Sequence, residues 1–294
     1  MCRRVSKDRP DFSGSDVNSF LPLARPGRTP VRVLTIGGSD SGGSAGLQAD
    51  LRTFALLGVH PLVAVTVVTV QNSLGVKDFH RIPTDVVTGQ IQAVASDIGV
   101  QAAKTGMLAS EEIIEAVADC RGTLGAAAGV PFVVDPVCAS ADGDPLLGAS
   151  GLNALRTRLL PLATLVTPNL DEVRLLVGVE VVDARSQREA AKALHDLGPR
   201  WALVKGGHLR SAGDSPDLLY DGNDFHRFDA PRIGTRHDHG AGDTLAAAVT
   251  CALAHGYPMP EAVAFAKAWV TECLRSAYPL GAGRGPVSAL FRLR

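Results

Sequence analysis

A chain of 294 residues with 46% hydrophobic content and a formal net charge of −1 can bury a large α/β core and carries no electrostatic footprint for nucleic acid. Its five cysteines (Cys2, Cys120, Cys138, Cys251, Cys273) are scattered, odd in number and without a C-x-x-C pair. That argues against a zinc site or a disulfide framework and fits a reducing, cytoplasmic setting, and no apolar run is long enough to suggest a membrane span. Residues 1–30 mix Arg, Asp, Ser and Pro without periodicity and lack the apolar centre of a signal peptide. They read as a disordered extension, or as the product of an upstream start, ahead of one domain over 31–294.

From Val31 onward strand-like and helix-like segments alternate. Residues 31–36 read as a buried strand, 37–46 as a flexible glycine-rich turn, and Leu47, Leu51, Phe54, Ala55 and Leu57 follow at helical spacing. Residues 62–70 are apolar and β-branched, as a strand requires. A helix over 84–98 places Val87, Ile91, Val94, Ala95 and Ile98 on one face. A short strand over 102–107, a helix from Ser110 to about Cys120 and a strand over 131–137 come next, then a helical stretch over 151–162 and a strand over 164–167. Ser186-Gln187-Arg188-Glu189 reads as a capping box opening a helix, and a strand over 201–204 ends at Lys205-Gly206-Gly207. Strands separated by helices imply an α/β fold with a mostly parallel central sheet and helices on both faces, binding ligands beyond the carboxyl ends of the strands.

The segment richest in chemistry is His239-Gly240-Ala241-Gly242-Asp243-Thr244, followed by an apolar run over 245–253. Small residues let the backbone approach an anion, and a helix starting there aims unpaired N–H groups and its positive dipole end at that anion. Asp243 then stands where an alcohol meets a phosphate, as phosphoryl transfer to a hydroxyl requires. The same residues also suit an ordinary capped helix start. The loop Gly37-Gly38-Ser39-Asp40-Ser41-Gly42-Gly43-Ser44-Ala45-Gly46 has neither the G-x-G-x-x-G spacing nor a Walker lysine, since Ser44 stands in the lysine's place. Gln71-Asn72, at a strand end, offers amides to the edge of a heterocycle, or simply makes a turn. Asn169-Leu170-Asp171-Glu172 suits an N-cap with its reciprocal glutamate, and Asp135 with Glu172 supplies hard oxygen donors for magnesium.

Taken together, the blocks Ile36-Gly37-Gly38-Ser39-Asp40, Gly46-Leu47-Gln48-Ala49-Asp50, Gln71-Asn72, Lys104-Thr105-Gly106-Met107-Leu108, Asp135-Pro136-Val137, Gly143-Asp144-Pro145-Leu146-Leu147, Thr167-Pro168-Asn169-Leu170, Lys205-Gly206-Gly207-His208 and the opening motif resemble the hydroxymethylpyrimidine/phosphomethylpyrimidine kinases of thiamine biosynthesis, in the ribokinase-like superfamily. The resemblance covers the chain from about Val31 to the C-terminus. It implies ATP and Mg2+ as cofactors, a small-molecule pyrimidine as substrate and a homodimer. By the same resemblance Gln71 reads the aminopyrimidine edge, while Gly38, Asp50 and Met107 line the pyrimidine pocket. Asn169 and Lys205 meet the ATP phosphates, Asp135 and Glu172 lie on the magnesium side, and Gly240, Ala241 and Gly242 form the anion hole beside Asp243. Two positions depart from the family pattern. The first loop lacks its proline, and Asp243 stands where pyrimidine kinases usually have cysteine and where ribokinase and pyridoxal kinase relatives have aspartate. A pyridoxal-type kinase of the same fold, or a catalytically silent pyrimidine sensor, is therefore the alternative.

Overall fold

A computed structural model describes residues 21–125, 129–139, 146–207, 209 and 214–293. The sequence readings for residues 1–20, Gly143, Asp144, Pro145 and His208 lie outside the described residues. One nine-stranded sheet organises the chain: β1 (Arg32–Ser39), β2 (His60–Asn72), β3 (Gly75–Arg81), β4 (Ala102–Thr105), β5 (Phe132–Val134), β6 (Leu165–Val166), β7 (Ala202–Val204), β8 (Asp217–Tyr220) and β9 (Phe225–Phe228). Their order is β3-β2-β1-β4-β5-β6-β7-β8-β9. The pairings from β2 through β1, β4, β5 and β6 to β7 are parallel, whereas β3, β8 and β9 join antiparallel at the two edges.

Because successive strand residues point to opposite faces, each short strand feeds two cores. Leu34, Phe132, Val134, Val166 and Val204 enter one cluster, backed by α2 (Thr84–Asp97), α3 (Glu111–Asp119), α5 (Leu170–Val177) and α6 (Ala184–His195). Val33, Val133, Leu165, Leu203 and Leu219 enter the other, backed by α1 (Gly46–Leu56), α7 (Ala241–Ala254) and α8 (Met259–Arg275). The remaining helix, α4 (Ala149–Ala154), continues as a π-turn over Leu155–Leu159 and a 3-10 turn over Leu160–Leu162. Helix α7 lies so deep that every residue from Thr244 to Leu253 is buried, which is why its sequence is apolar all round rather than striped.

Several boundaries differ from the sequence reading. β1 runs through Gly37 and Gly38, which pair with Val65 and Val67 across a bulge, so the glycine turn begins only after Ser39. Gln71 and Asn72 are paired in β2 against Val76 and Gly75. The cap of α6 is Asp183, not Ser186: the Asp183 carboxylate accepts the Ser186 N–H at 2.8 Å, and the Ser186 hydroxyl answers the Asp183 N–H at 3.0 Å. Leu21, within the stretch read as an extension, is buried in the same cluster as Phe54 and Leu57. Cys120, Cys138, Cys251 and Cys273 are buried and unpaired, and among the described residues no helix is long and apolar enough to cross a membrane.

Candidate active site

The candidate side chains gather where parallel strands end and the next helix begins. After β1 the chain winds around one carboxylate: Asp40 Oδ1 accepts the Gly42 N–H at 2.7 Å, and Oδ2 accepts those of Ser44 at 2.8 Å and Ala45 at 2.9 Å. The Asp40 N–H donates to Gln48 Oε1 at 2.7 Å. The expectation of a flexible turn is thereby corrected, because a short aspartate ahead of a glycine holds the backbone just beyond it. The signal, Asp40-Ser41-Gly42, is present in the sequence.

Near the ends of β1 and β4, Gly38 and Met107 come together: a β-carbon on Gly38 would touch Met107 Cβ at 3.7 Å and Sδ at 3.8 Å. Gln71 is held at its backbone by Ser41, whose hydroxyl accepts the Gln71 N–H at 2.9 Å and donates to the Gln71 carbonyl at 2.7 Å. Its side-chain Nε2 lies 3.2 Å from His239 Nε2, so the tip of β2 touches the loop that enters α7. Asp50 has a different setting. It is sealed beneath the site, with Lys104 Nζ 2.8 Å from both of its oxygens and the Thr35 hydroxyl donating at 2.6 Å. Burial pushes its carboxyl up to about 6 against the opposing pull of Lys104, and the charge of Asp243 adds to the rise. Asp50 is therefore a buried, ion-paired group that ties α1 to β4 and β1.

Asp135 is buried just past β5, and its Oδ1 accepts the Thr167 hydroxyl at 2.8 Å and a bond from Lys205 Nζ at 3.0 Å. Gly242 abuts this pair: a β-carbon there would lie 3.2 Å from Lys205 Nζ and 3.9 Å from Asp135 Oδ2. Asn169 and Glu172 form the reciprocal capping box of α5, with the Glu172 N–H donating to Asn169 Oδ1 at 2.9 Å and the Asn169 N–H to Glu172 Oε2 at 2.8 Å. Burial raises the Glu172 carboxyl to about 8; Lys205 opposes the rise, while Asp135 and Asp243 reinforce it. Burial alone would lower the Lys205 ammonium, but Asp135, Glu172 and Asp243 outweigh it and hold the group above its ordinary value.

Gly240 opens α7 in the left-handed region, at φ 78°, and a β-carbon there would overlap the Ser44 carbonyl. No side chain caps the helix, and the Gly242 and Asp243 N–H groups find no backbone acceptor among the described residues. A pair of free N–H groups at a helix start beside Lys205 is a cradle for an anion. Asp243 is half-buried in the first turn, and its charge acts on Asp50, Lys104, Glu172 and Lys205 alike.

The donor chemistry fits magnesium in one way only. Among the described residues no group of three or more His, Cys, Asp or Glu is set to hold a metal ion. Asp135 and Glu172 nevertheless set two buried carboxyl groups beside one ammonium, and a divalent cation there would favour the ionised Glu172 that burial disfavours. The residues suit a Mg2+ held chiefly through water and nucleotide phosphates, the habit of that ion, rather than an all-protein cage.

A mostly parallel sheet whose strand ends carry these groups beside a glycine-opened helix defines a ribokinase-like α/β protein, and solved structures agree. Pyridoxal kinase of Bacillus subtilis, in an ADP complex, matches with a TM-score of 0.82 and 36% identity, covering 90% of this chain and 100% of that one. Phosphomethylpyrimidine kinase of Clostridium difficile 630 matches with a TM-score of 0.72 and 36% identity, over 82% of this chain and 98% of that one. In sequence, the hydroxymethylpyrimidine/phosphomethylpyrimidine kinase of Mycobacterium tuberculosis H37Rv is 68% identical over 275 residues, 94% of this chain and 99% of its own length. The model of the phosphomethylpyrimidine kinase family matches residues 40–288, and the chain belongs to that family.

Proposed function

We propose that the chain transfers the γ-phosphoryl group of ATP to the hydroxymethyl group of hydroxymethylpyrimidine, and then to the resulting monophosphate, yielding the diphosphate used to build thiamine. The carrying observation is the 68% identity, over nearly the full length of both chains, to a kinase of that name. ADP in the B. subtilis relative supports ATP as donor.

Within this reading Asp243 accepts the proton of the attacking alcohol, and the Gly242 and Asp243 N–H groups, set by the Gly240-Ala241-Gly242 turn while the Ala241 N–H is held by the Asp238 carbonyl, act with Lys205 on the charge that develops on the transferred phosphoryl group. Asn169 and Lys205 bind the ATP phosphates. Gln71 reads the pyrimidine's donor and acceptor edge, Gly38 and Met107 form an apolar wall, and Asp50 supports that wall from beneath. Asp135 and Glu172 would hold Mg2+, which when bound would neutralise phosphate charge. Residues 31–294 act as one kinase domain, and a homodimer is its proposed assembly.

Asp243 and the resemblance to pyridoxal kinase structures favour a second acceptor, pyridoxal, as the rival. One assay separates them: ATP turnover with hydroxymethylpyrimidine, its monophosphate and pyridoxal as acceptors. Preference for the first two is expected. A higher kcat/KM on pyridoxal overturns the pyrimidine assignment, and ligand binding without turnover makes the chain a sensor.

A further inference from the structure

One motif plays no part in the chemistry above: glycines at alternate positions in Gly281-Ala282-Gly283-Arg284-Gly285, ahead of Pro286-Val287. This segment runs between the two halves of the candidate site, against surfaces that leave no room for side chains. A β-carbon would overlap the Ser73 side chain from Gly281, the Ser73 carbonyl from Gly283, and the Tyr278 carbonyl with the His237 ring from Gly285. Only glycine allows so close a passage, and Gly281 itself stands in the left-handed region, at φ 62°.

The segment is bonded on both flanks. Toward the β2–β3 turn, the Gly283 N–H donates to Ser73 Oγ at 3.2 Å and the Arg284 N–H to the Ser73 carbonyl at 3.0 Å. Toward the loop entering α7, the Gly285 N–H donates to His237 Nδ1 at 3.0 Å, the His239 N–H to the Gly285 carbonyl at 3.2 Å, and the Val287 N–H to the His239 carbonyl at 3.1 Å. The Arg284 guanidinium adds two bonds to Asp238 Oδ1, from Nε at 3.0 Å and Nη2 at 2.7 Å. Ser73 follows closely on Gln71, and Asp238 lies just ahead of the Gly240–Gly242 turn. The strap thus spans the acceptor-reading strand tip and the phosphate loop, parallel to the direct Gln71–His239 contact.

We propose that this C-terminal strap fixes the acceptor relative to the phosphate loop, with Arg284 as a positioning residue for phosphoryl transfer. The inference rests on the kinase reading above. Its physical basis is that a displacement of about 1 Å between reacting groups costs on the order of 10²-fold in rate.

Arg284→Ala is expected to lower kcat on hydroxymethylpyrimidine about tenfold, a partial displacement on that scale, with the KM for ATP within about twofold of wild type. The melting temperature should barely move, because the ion pair is partly exposed and such pairs contribute little to stability. Asp238→Asn should reproduce the effect, and the double variant should be no worse than either single one, as expected of one shared contact. An unchanged kcat overturns the proposal, as does a parallel loss of ATP affinity and melting temperature, which marks general destabilisation. Hydrogen exchange tests the strap without turnover. In Arg284→Ala, amides near residues 71–75 and 239–244 should exchange faster together while those of β5 do not; exchange unchanged at both segments also overturns it. Failure of the wild-type chain to phosphorylate hydroxymethylpyrimidine would instead count against the functional reading alone.

Discussion

Two lysine–aspartate pairs stand at the ends of parallel strands, and they differ in one respect. Lys104–Asp50, between β4 and α1, is sealed, with side-chain exposures of 0% and 2%; Lys205–Asp135, past β7 and β5, is open at its lysine, 13% against 3%. The sealed pair has both Asp50 oxygens and a threonine hydroxyl committed to internal bonds. The open pair leaves Asp135 Oδ2 facing the start of α7 across a glycine without a side chain. The same two residue types thus build a sealed strut in one place and, in the proposed function, a ligand contact in the other, and what separates them is access.

Replacing each lysine should split these roles. Lys104→Met leaves a buried carboxylate unpaired and should cost about 3–5 kcal/mol of unfolding free energy, measured by urea denaturation. A loss below about 1 kcal/mol, the range of exposed pairs, would deny it the part of a strut. Lys205→Met should lower kcat/KM by about 10²–10³-fold, the scale for removing one preorganised donor at a developing charge, and leave stability closer to wild type. Asp243→Asn should cut turnover on hydroxymethylpyrimidine by about 10²-fold or more, and on the monophosphate less, because that acceptor already carries an anionic oxygen. Equal losses on both acceptors would remove Asp243 as the base.

The smallest effect sharpens the comparison by pH. Folding raises Asp50 from 3.8 to about 6 and Glu172, beside the open pair, from 4.5 to about 8. A carboxyl raised in the folded state contributes stability that is full below its unfolded value and is lost as pH climbs through the folded one. Unfolding free energy of the ligand-free protein should therefore fall from pH 4 to 8. In Asp50→Asn the slope below about pH 6 should flatten while the slope above it persists, because Glu172, facing Lys205, Asp135 and Asp243, still titrates. A uniform change of slope across the range would mean that the two sites titrate as one.

The strand–helix alternation is legible because parallel strands buried on both faces read as apolar runs, and because the helices between them carry a 3.6-residue period. The edge strands are harder. β3, Gly75-Val76-Lys77-Asp78-Phe79-His80-Arg81, is mostly exposed and polar, so its membership in the sheet depends on its partner β2 rather than on its own composition. α8 carries a plain signal, with Met259, Ala262, Val263, Ala266, Trp269, Val270 and Cys273 at helical spacing on its buried face. The Asn169–Glu172 box and the glycine start of α7 are local motifs and can be read within a few residues. The pairing of Lys104 with Asp50, the Thr167 bond to Asp135 and the Gln71–His239 contact join positions tens of residues apart. No spacing rule within one chain reports such contacts, and the topology of the sheet alone creates them.

The depth of α7 links catalysis to folding. A helix enclosed from Thr244 to Leu253 cannot turn or slide without opening the cluster that contains Phe265 and Trp269. The orientation of its first turn therefore rests on that core from within and on the bonds of Arg284, Gly285 and Val287 to residues 237–239 from without. Local fraying at the far edge strands, β8 and β9, can proceed while that turn stays set. On warming, the anion binding proposed at the start of α7 should disappear only in the global transition, whereas the pairing of β8 with β9 is free to soften first.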